Sequence, residues 1–534
     1  MAVFKRRWFM WDFARQRSFD RDEFSLVATK LSEVGFNGIG LYLEGAFELK
    51  CVGGGILRKG IMTREDAKWV KEKCKSLGME VFPMTNVVGH MEHFFRQERF
   101  RHLGPKYKYG CLDLNFTLPE AEEFSMNIID DYLEAFDTKY IHIGGDEVAL
   151  TPETRPLFAK FLASICDKLL SRGVTPAIWN DMLWNHKELC EPFSRDVEIF
   201  DWHYFSHRAE SIKFFNEQGF KKVIACPCDN SWIGFSSHQM TCLWIRGEQI
   251  PVESDAIEAL FRDNIKEGDP ENLMGLHTHW EDTMGRDLWG QWSTFARSGM
   301  FMRGEFDEKP CTDKTLEMAL FGRITPYTEI MHIIQNEIHS LFKHPYHASP
   351  VRSALFVKER FEELPTTVFE QEKGLSAKTV APIEKIDKLL GGWLPEGEFE
   401  KRCKAYLVST SALMKAAFAL YTALDSCDEL YTTAAKLQFE KKAEAKELVK
   451  KFAERFSRAA ELIKEYIPAH KAFIELVPTH TETDFIKLDN TLVYINNIIE
   501  ILKELVDSPS FEMIPLPSIY CIIDHVTNAR VIER

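Results

Sequence analysis

The sequence predicts an α/β fold class, a (β/α)8 TIM barrel followed by a C-terminal α-helical domain. From residue 8 to about residue 302, short apolar runs alternate with amphipathic stretches, and this alternation occurs eight times. After about residue 305 the strand patterns give way to long helical ones. A doubly wound open sheet stays the alternative, because it shares the alternation of strand and helix. The count of eight favours the barrel.

Short apolar runs with turn residues at their ends have the length and composition of buried parallel strands. They are Trp8–Phe13, Gly38–Leu43, Glu80–Met84, Tyr140–Ile143, Pro176–Trp179, Val197–Trp202, Lys222–Ala225 and Leu273–His277.

Amphipathic stretches lie between these runs, and the first of them has Phe24, Val27 and Leu31 at helical spacing. The link after the fifth strand is the least regular. The predicted helices are Arg21–Val34, Arg64–Leu77, Pro119–Phe136, Glu153–Ser171, Ser206–Gln218 and Glu253–Lys266.

The domain organisation follows from the change in pattern. Residues 1–305 are predicted to form the catalytic barrel, and residues 306–534 the helical domain. One long helix is predicted from the stripe of Leu448, Phe452, Phe456 and Ile463. A second is predicted from an apolar stripe of five residues, Leu488, Leu492, Ile495, Ile499 and Leu502.

Composition excludes some function classes. A hydrophobic content of 45% with 28% charged residues is typical of a soluble globular protein, and a net charge of −15 argues against nucleic acid or an anionic membrane as partner. The twelve cysteines form no framework, which indicates reduced thiols and a cytoplasmic protein. The opening "MAVFKRRWFMWDFA" does not resemble a secretory signal, and no membrane-spanning stretch is expected.

The stretch "KYIHIGGDEVAL" places two adjacent carboxylates, Asp146 and Glu147, where the fourth strand ends. Side chains alternate between faces along a strand, but beyond its end Gly144 and Gly145 let the backbone bend. Both carboxylates can then face one pocket. Catalytic groups of a barrel lie at the carboxyl ends of its strands, so this pair is the first candidate for catalysis.

Other strand ends carry polar and aromatic residues that the barrel would bring to the same face. They are Asp12 and Arg15, Glu44, Asn86 and His90, Trp179 and Asp181, Trp202 and Tyr204, Asp229 and Trp232, and Trp280 with Glu281 and Asp282. Several indole rings beside carboxylates and an arginine are typical of sugar recognition, since sugars have apolar faces and many hydroxyls. Each Trp also has a simpler interpretation as a core residue.

A metal site is not expected. His90 and His93 have H-x-x-H spacing, but a convincing third ligand is missing. No cofactor is predicted either.

The motif "HIGGDE" resembles the H-x-G-G-D-E signature of glycoside hydrolase family 20, the β-N-acetylhexosaminidases. "DFAR" resembles the D-x-x-R after that family's first strand, and "GH" in "VVGHME" fits its third-strand motif. "GHMEHFFRQERFRHLG", "IWNDML" and "DWHY" are similar to the hexosaminidase D branch, whose members lack a secretion signal. The resemblance covers about residues 8–300.

This resemblance implies substrate-assisted catalysis, in which the 2-acetamido oxygen of the substrate attacks the anomeric carbon and forms an oxazoline. It implies that Glu147 is the general acid and then the base, and that Asp146 orients the acetamido N–H. Arg15 would bind ring hydroxyls, and His90 would lie behind Glu147 with Glu44 in support. The walls of the acetamido pocket would be formed by Trp179, Trp202 and Trp280.

The sequence departs from the family pattern at two strand ends. "CPCDNSW" lacks the strand-7 tyrosine that binds the acetamido oxygen, so Tyr204 is taken as its substitute, and Trp232 is kept as a candidate contact. The strand-8 Trp-x-Glu is replaced by Trp280, Glu281 and Asp282. Asp282 holds the matching place, and Glu281 is the alternative, so the preference between GlcNAc and GalNAc stays open.

The first hypothesis is therefore an exo-acting β-N-acetylhexosaminidase for terminal β-linked GlcNAc or GalNAc, with an amino-sugar glycoside as substrate. A non-catalytic carbohydrate-binding barrel is the alternative. A metal-dependent amidohydrolase is a third hypothesis, against which the first strand lacks an H-x-H. Nucleic-acid and membrane partners are not expected, and a homodimer is possible.

Overall fold

The computed structural model describes most of the chain. The residues outside the description are 1–2, 16, 54–59, 96, 105–112, 205–208, 230–241, 246–247, 252–255, 270, 282–287, 307–310, 339–340, 342–373, 478–482 and 514–534.

Eight parallel strands close into a barrel in which each strand pairs with its neighbours in the chain and the last strand pairs with the first. The predicted barrel is thereby confirmed. In chain order the strands β1 to β8 are Arg6–Asp12, Gly38–Tyr42, Glu80–Met84, Tyr140–His142, Thr175–Trp179, Glu198–Trp202, Val223–Cys226 and Met274–His279.

Helices connect most of these strands, as the amphipathic stretches predict. Helices α1 to α7 are Arg21–Glu33, Arg64–Ser76, Ala121–Phe136, Arg155–Ser171, Ala209–Glu217, Ala256–Glu267 and Trp292–Met302. Between β5 and β6 the described chain has only the short helix Asp181–Asn185 and the 3₁₀ turn Lys187–Cys190, in agreement with the irregular link. Two strands, Cys242–Ile245 and Glu248–Pro251, form a separate antiparallel pair.

Local signals in the sequence account for where these helices begin. Asp20 caps α1 by accepting a hydrogen bond from the Glu23 backbone N–H at 2.8 Å. Thr63 and Asp66 form a capping box at the start of α2, which satisfies two backbone donors that the helix leaves unpaired. Such caps fix the point at which the chain leaves the loop above each strand.

The lower part of the barrel interior is filled by aromatic rings around Trp8. The Trp8 ring lies 4.5 Å from the Phe82 ring and 5.5 Å from the Tyr140 ring, measured between centroids. Below it the buried Glu198 carboxylate accepts hydrogen bonds from Arg6 at 2.6 Å and from the Tyr140 hydroxyl at 2.5 Å. This packing closes the bottom of the barrel, so the polar strand ends at the top are left for chemistry.

Gly38 on β2 leaves the space that the Trp8 indole occupies. A Cβ atom at position 38 would lie 2.2 Å from Cδ1 of Trp8, which is far closer than atoms can approach. The absent side chain therefore lets a large ring enter the interior.

Beyond the barrel the described chain is helical, with α8 to α13 at Asp313–Phe321, Tyr327–His332, Val380–Gly392, Gly397–Asp425, Lys442–Leu476 and Thr483–Asp507. Helix α12 packs against both α11 and α13. Its stripe buries Phe452, Phe456 and Ile463, with Val449 buried in place of the half-buried Leu448. The five apolar residues predicted to line α13 are all buried.

One helical segment, Gly397–Leu437, is long and apolar enough to span a membrane by length and composition. This corrects the expectation that no such stretch exists. Of its most apolar window, 72% is buried inside the protein, as expected for the core helix of a helical domain.

The chain packs as two compact units. The first comprises the described residues within 1–232 and 252–324, and the second comprises those within 239–251 and 325–534. The domain boundary at residue 305 stays a prediction.

Replacing Gly38 by Val should destabilise the barrel, because the new side chain would overlap the Trp8 ring. We expect the free energy of unfolding to fall by about 3 kcal/mol, measured by urea titration followed by circular dichroism. Gly391→Ala is the control, since a Cβ atom there meets no neighbouring atom within 4 Å. Equal stability of the Gly38→Val variant and wild type would contradict this account of the interior.

Candidate active site

The loop after β4 carries Asp146 and Glu147, and its backbone adopts left-handed conformations at three positions. The φ angles are 77° at Gly144, 93° at Gly145 and 50° at Glu147. A Cβ atom at position 144 would lie 1.3 Å from Oδ1 of Asn86, so the loop can pass this close to β3 only with glycine there. This sharp bend turns two neighbouring carboxylates towards one side.

The two carboxylates both lie close to one nitrogen of the same imidazole. His90 Nε2 is 3.5 Å from Oδ2 of Asp146 and 3.3 Å from Oε2 of Glu147. Asp146 is buried, whereas 56% of the Glu147 side chain is exposed. Two acids of the same chemistry therefore have different environments, which is the basis for different roles.

Asp146 is held in its ionised form. Burial acts to raise the pKa of its carboxyl, but His90, a backbone hydrogen bond and His142 together outweigh burial and hold the pKa below its ordinary value. Oδ1 of Asp146 has no hydrogen-bond partner within the part of the chain that the structure describes. A buried carboxylate oxygen of this kind is available to a ligand N–H.

Asp181, two residues after the end of β5, holds the loop that follows β4. Its Oδ2 accepts a hydrogen bond from the Glu147 backbone N–H at 2.9 Å, and its Oδ1 accepts one from the Trp202 indole at 3.4 Å. Burial and the nearby Asp146 carboxylate raise the pKa of Asp181 to about 7. Among these buried acids, Asp146 is ionised at neutral pH and Asp181 is partly protonated.

A second buried acid, Glu44, supports the arginine of the site. Arg15 Nη1 lies 3.4 Å from Oε1 of Glu44, and the guanidinium stacks 5.1 Å from the Tyr42 ring and 5.0 Å from the Trp280 ring. Glu44 also accepts a hydrogen bond from the Tyr42 hydroxyl at 2.5 Å. Burial raises the pKa of Glu44 to about 7, against the opposing charge of Arg15.

Four aromatic side chains from three strand ends, those of β5, β6 and β8, lie close together. The Trp179 and Trp280 ring centroids are 6.1 Å apart, and the Trp202 and Tyr204 centroids are 4.8 Å apart. The Trp280 indole donates a hydrogen bond to the Tyr204 hydroxyl at 2.8 Å, which joins the two pairs. The arrangement forms a wall of rings beside the carboxylates, of the kind that binds the apolar face of a sugar.

Glu281 lies in a buried ion network rather than beside the acid pair. Its Oε1 pairs with Arg17 Nη2 at 2.7 Å and with His279 Nε2 at 3.2 Å. Burial acts to lower the pKa of His279, but the carboxylates of Asp229 and Glu281 outweigh it and raise the pKa to about 10. This network anchors the strand end that carries Trp280.

The structure thus brings together ten residues that the sequence singled out, namely Arg15, Glu44, His90, Asp146, Glu147, Trp179, Asp181, Trp202, Tyr204 and Trp280. Trp232 and Asp282 lie outside the described residues. The supporting roles of Tyr42 and Asn86 are not evident from the sequence. Asn86 donates to the Tyr42 hydroxyl at 2.7 Å, and the position of both at strand ends is the one signal for them.

The acid pair also has the donor set of a cation site. One ligand atom from each of His90, Asp146 and Glu147 lies within 4.8 Å of the others. The expectation that no metal is required stays a prediction, because a nitrogen and two carboxylate oxygens also serve proton transfer.

Part of the barrel is similar to known proteins. Residues 41–246 match the sequence model described as glycosyl hydrolase family 20, catalytic domain. This match confirms the predicted resemblance of the barrel to that family. Similarity to the hexosaminidase D branch stays a prediction.

One curated relative is the lacto-N-biosidase of Bifidobacterium bifidum, which is 28% identical over 170 residues. The match covers 26% of this chain and 14% of that protein, so the chain spans about a seventh of its relative's length.

Two of the solved structures that are similar to this chain are family 20 or hexosaminidase structures by their names. The β-N-acetylhexosaminidase of Bacteroides fragilis is 18% identical, covers 56% of this chain and 65% of its own, and has a TM-score of 0.43. The family 20 exo β-N-acetylglucosaminidase of Vibrio harveyi is 17% identical, covers 62% and 58% of the two chains, and has a TM-score of 0.45.

The pKa of Asp181 predicts how its replacement changes stability with pH. The folded-state pKa of about 7 lies above the unfolded value, so stability is full below the unfolded pKa and is lost as pH rises through 7. In Asp181→Asn the side chain cannot ionise, so this pH-dependent loss of stability is removed. We expect the variant to gain stability relative to wild type between pH 4.5 and pH 8, by on the order of 2 kcal/mol.

The measurement is urea unfolding of both proteins at the two pH values. A stability difference between variant and wild type that does not change with pH would show that Asp181 is not a buried acid with a raised pKa.

Proposed function

We propose that this protein is an exo-acting β-N-acetylhexosaminidase that removes terminal β-linked GlcNAc or GalNAc by substrate-assisted catalysis with retention of configuration. The observation that carries the proposal is the contrast between Asp146, which is buried and ionised, and Glu147, which is exposed, with His90 Nε2 close to both carboxylates. The match of the barrel to the family 20 catalytic domain supports it.

Each acid then has one task. Glu147, with its exposed carboxyl, protonates the leaving oxygen and later activates water as a base. Asp146 accepts a hydrogen bond from the acetamido N–H through its unpartnered Oδ1 and stabilises the positive charge of the forming oxazolinium ion. The substrate's acetamido oxygen is the nucleophile, so the enzyme needs no third carboxylate for that step.

The other strand ends bind the sugar. Arg15 is oriented by Glu44 and stacked on Tyr42 and Trp280, and its guanidinium donates to ring hydroxyls. The acetamido group is enclosed by Trp179, Trp202 and Trp280, and its oxygen is bound by the Tyr204 hydroxyl. In this proposal Glu281 supports Trp280 from the ion network instead of binding a hydroxyl.

The direct test is hydrolysis of 4-nitrophenyl β-glycosides of GlcNAc and GalNAc by the full-length protein, with inhibition by a thiazoline mimic of the oxazoline. A lacto-N-biosyl glycoside belongs in the assay, because one relative is a lacto-N-biosidase. Cleavage of the 2-hydroxyl analogue as fast as the 2-acetamido substrate would exclude substrate assistance, and no turnover of any glycoside by the folded protein would exclude the activity.

Glu147→Gln should remove the general acid while leaving the pocket in place. We expect kcat/KM for 4-nitrophenyl β-GlcNAc to fall by about 100- to 10,000-fold, with little change in the binding constant of the thiazoline inhibitor. Kinetics and calorimetry check the two quantities. The alternative function is a carbohydrate-binding barrel without catalysis. In that case wild type and Glu147→Gln would both bind the sugar, and neither protein would hydrolyse the glycoside.

Asp146→Asn should affect the reaction more than ground-state binding, because the charge that Asp146 stabilises develops in the transition state. We expect kcat to fall by about 100- to 1,000-fold with a much smaller change in KM. Equal losses in binding and in rate would contradict the role given to Asp146.

We further propose a cytoplasmic location. Among the buried cysteines, Cys74, Cys166, Cys190 and Cys226 are free thiols, which fits a reducing compartment. Fluorescence microscopy of the tagged full-length protein tests this, and a secreted product would contradict it.

A further inference from the structure

Left-handed backbone conformations are concentrated at the candidate active site. Among the described residues other than glycine, five have a positive φ, and three of them are Glu44, His90 and Glu147. Such conformations cost roughly 1–3 kcal/mol each and persist only where surrounding contacts hold them. Glu147, the general acid of the proposed function, therefore needs a contact that fixes its main chain.

The contact on Glu147 is made by Asp181. The Glu147 backbone N–H donates to Oδ2 of Asp181 at 2.9 Å, and the strand end carrying Asp181 is itself buried. The Glu147 side chain has one near partner among the described residues, His90 at 3.3 Å, so the direction of its carboxyl depends mainly on the main chain.

The same carboxylate reaches the wall of rings. Oδ1 of Asp181 accepts the indole N–H of Trp202 at 3.4 Å. The preceding residue, Asn180, accepts the Trp202 backbone N–H at 3.0 Å and donates to Asp201 at 2.5 Å. Two consecutive side chains after β5 thus connect the β4 loop to the β6 strand end.

We propose that Asp181 is the positioning residue of this site, and that it fixes the left-handed backbone of Glu147 and the indole of Trp202 in one arrangement. Each of its oxygens accepts one of these two donors, and Asp181 acts on the reaction through Glu147. The kinetic consequence of this inference rests on the proposed function. The hydrogen bonds by which Asp181 holds Glu147 and Trp202 do not depend on the reaction.

The consequence is specific to acid catalysis. If Asp181 is lost, the main chain of Glu147 relaxes from its left-handed conformation, and the carboxyl moves away from the leaving oxygen. A misplacement of about 1 Å can cost 100-fold in rate. A glycoside whose leaving group departs without protonation is insensitive to this displacement, but one that needs the proton is not.

The experiment compares kcat/KM for phenyl and 2,4-dinitrophenyl β-GlcNAc, because kcat/KM reports the steps up to release of the phenol. For Asp181→Ala we expect a loss of about 100-fold on the phenyl glycoside and of less than about 10-fold on the dinitrophenyl glycoside. Asp181→Asn keeps an acceptor for the Glu147 N–H, and we expect it to restore most of the loss.

Asp131→Ala is the matched control. Asp131 is as buried as Asp181 and also accepts a backbone N–H, that of Cys51 at 2.7 Å, but it lies on helix α3 of the barrel. Its loss should lower both activities to the same degree, as general destabilisation does.

Equal losses on both glycosides in Asp181→Ala would overturn the inference. So would a crystal structure of that variant in which φ of Glu147 stays near 50° and its carboxyl keeps its distance to His90. If the wild type hydrolyses neither glycoside, the proposed function fails, and the crystallographic comparison alone decides the role of Asp181.

Discussion

The close passage of the β4 loop beside β3 is the constraint on which the candidate active site depends. Asn86 occupies the space that a side chain at position 144 would need, so the loop bends with left-handed glycines and turns Asp146 and Glu147 towards the same pocket. Without that bend the two acids would point to opposite faces, as neighbours on a strand do. The backbone bend therefore determines that both carboxylates face the same pocket, and the surrounding side chains adjust their positions within it.

Burial then separates two residues of the same chemistry. Asp146 lies in the interior, where His90, a backbone hydrogen bond and His142 together outweigh desolvation and keep it ionised, while Glu147 faces solvent. Asp181, buried beside an ionised neighbour, has its pKa raised to about 7. The site tolerates this cost because an acid of that kind holds the main chain of Glu147, and functional sites often retain such destabilising groups.

The barrel supports this arrangement from below and from the side. The rings around Trp8 and the buried Glu198 fill the lower interior, which leaves the carboxyl ends of the strands as the open face. The ion network of Arg17, His279 and Glu281 fixes the end of β8 and so the ring of Trp280. Residues from opposite ends of the barrel sequence thus meet through packing that the local sequence does not encode.

The sequence by itself determined the eight strands and the acids at their ends, because buried parallel strands have apolar runs and chemistry collects where such runs stop. It also predicted that Asp146, Glu147 and His90 share one face, since closing a parallel barrel brings all carboxyl ends together, whereas the position of His90 behind Glu147 was implied by the family resemblance. Only the tertiary structure decided that Glu281 is paired with Arg17, that Tyr42 and Asn86 support Glu44, and that Asp181 holds Glu147. These are contacts of a few ångströms between residues distant in the chain, and no local pattern encodes them. Burial, which also depends on the tertiary structure, raises the pKa of Glu44 and of Asp181.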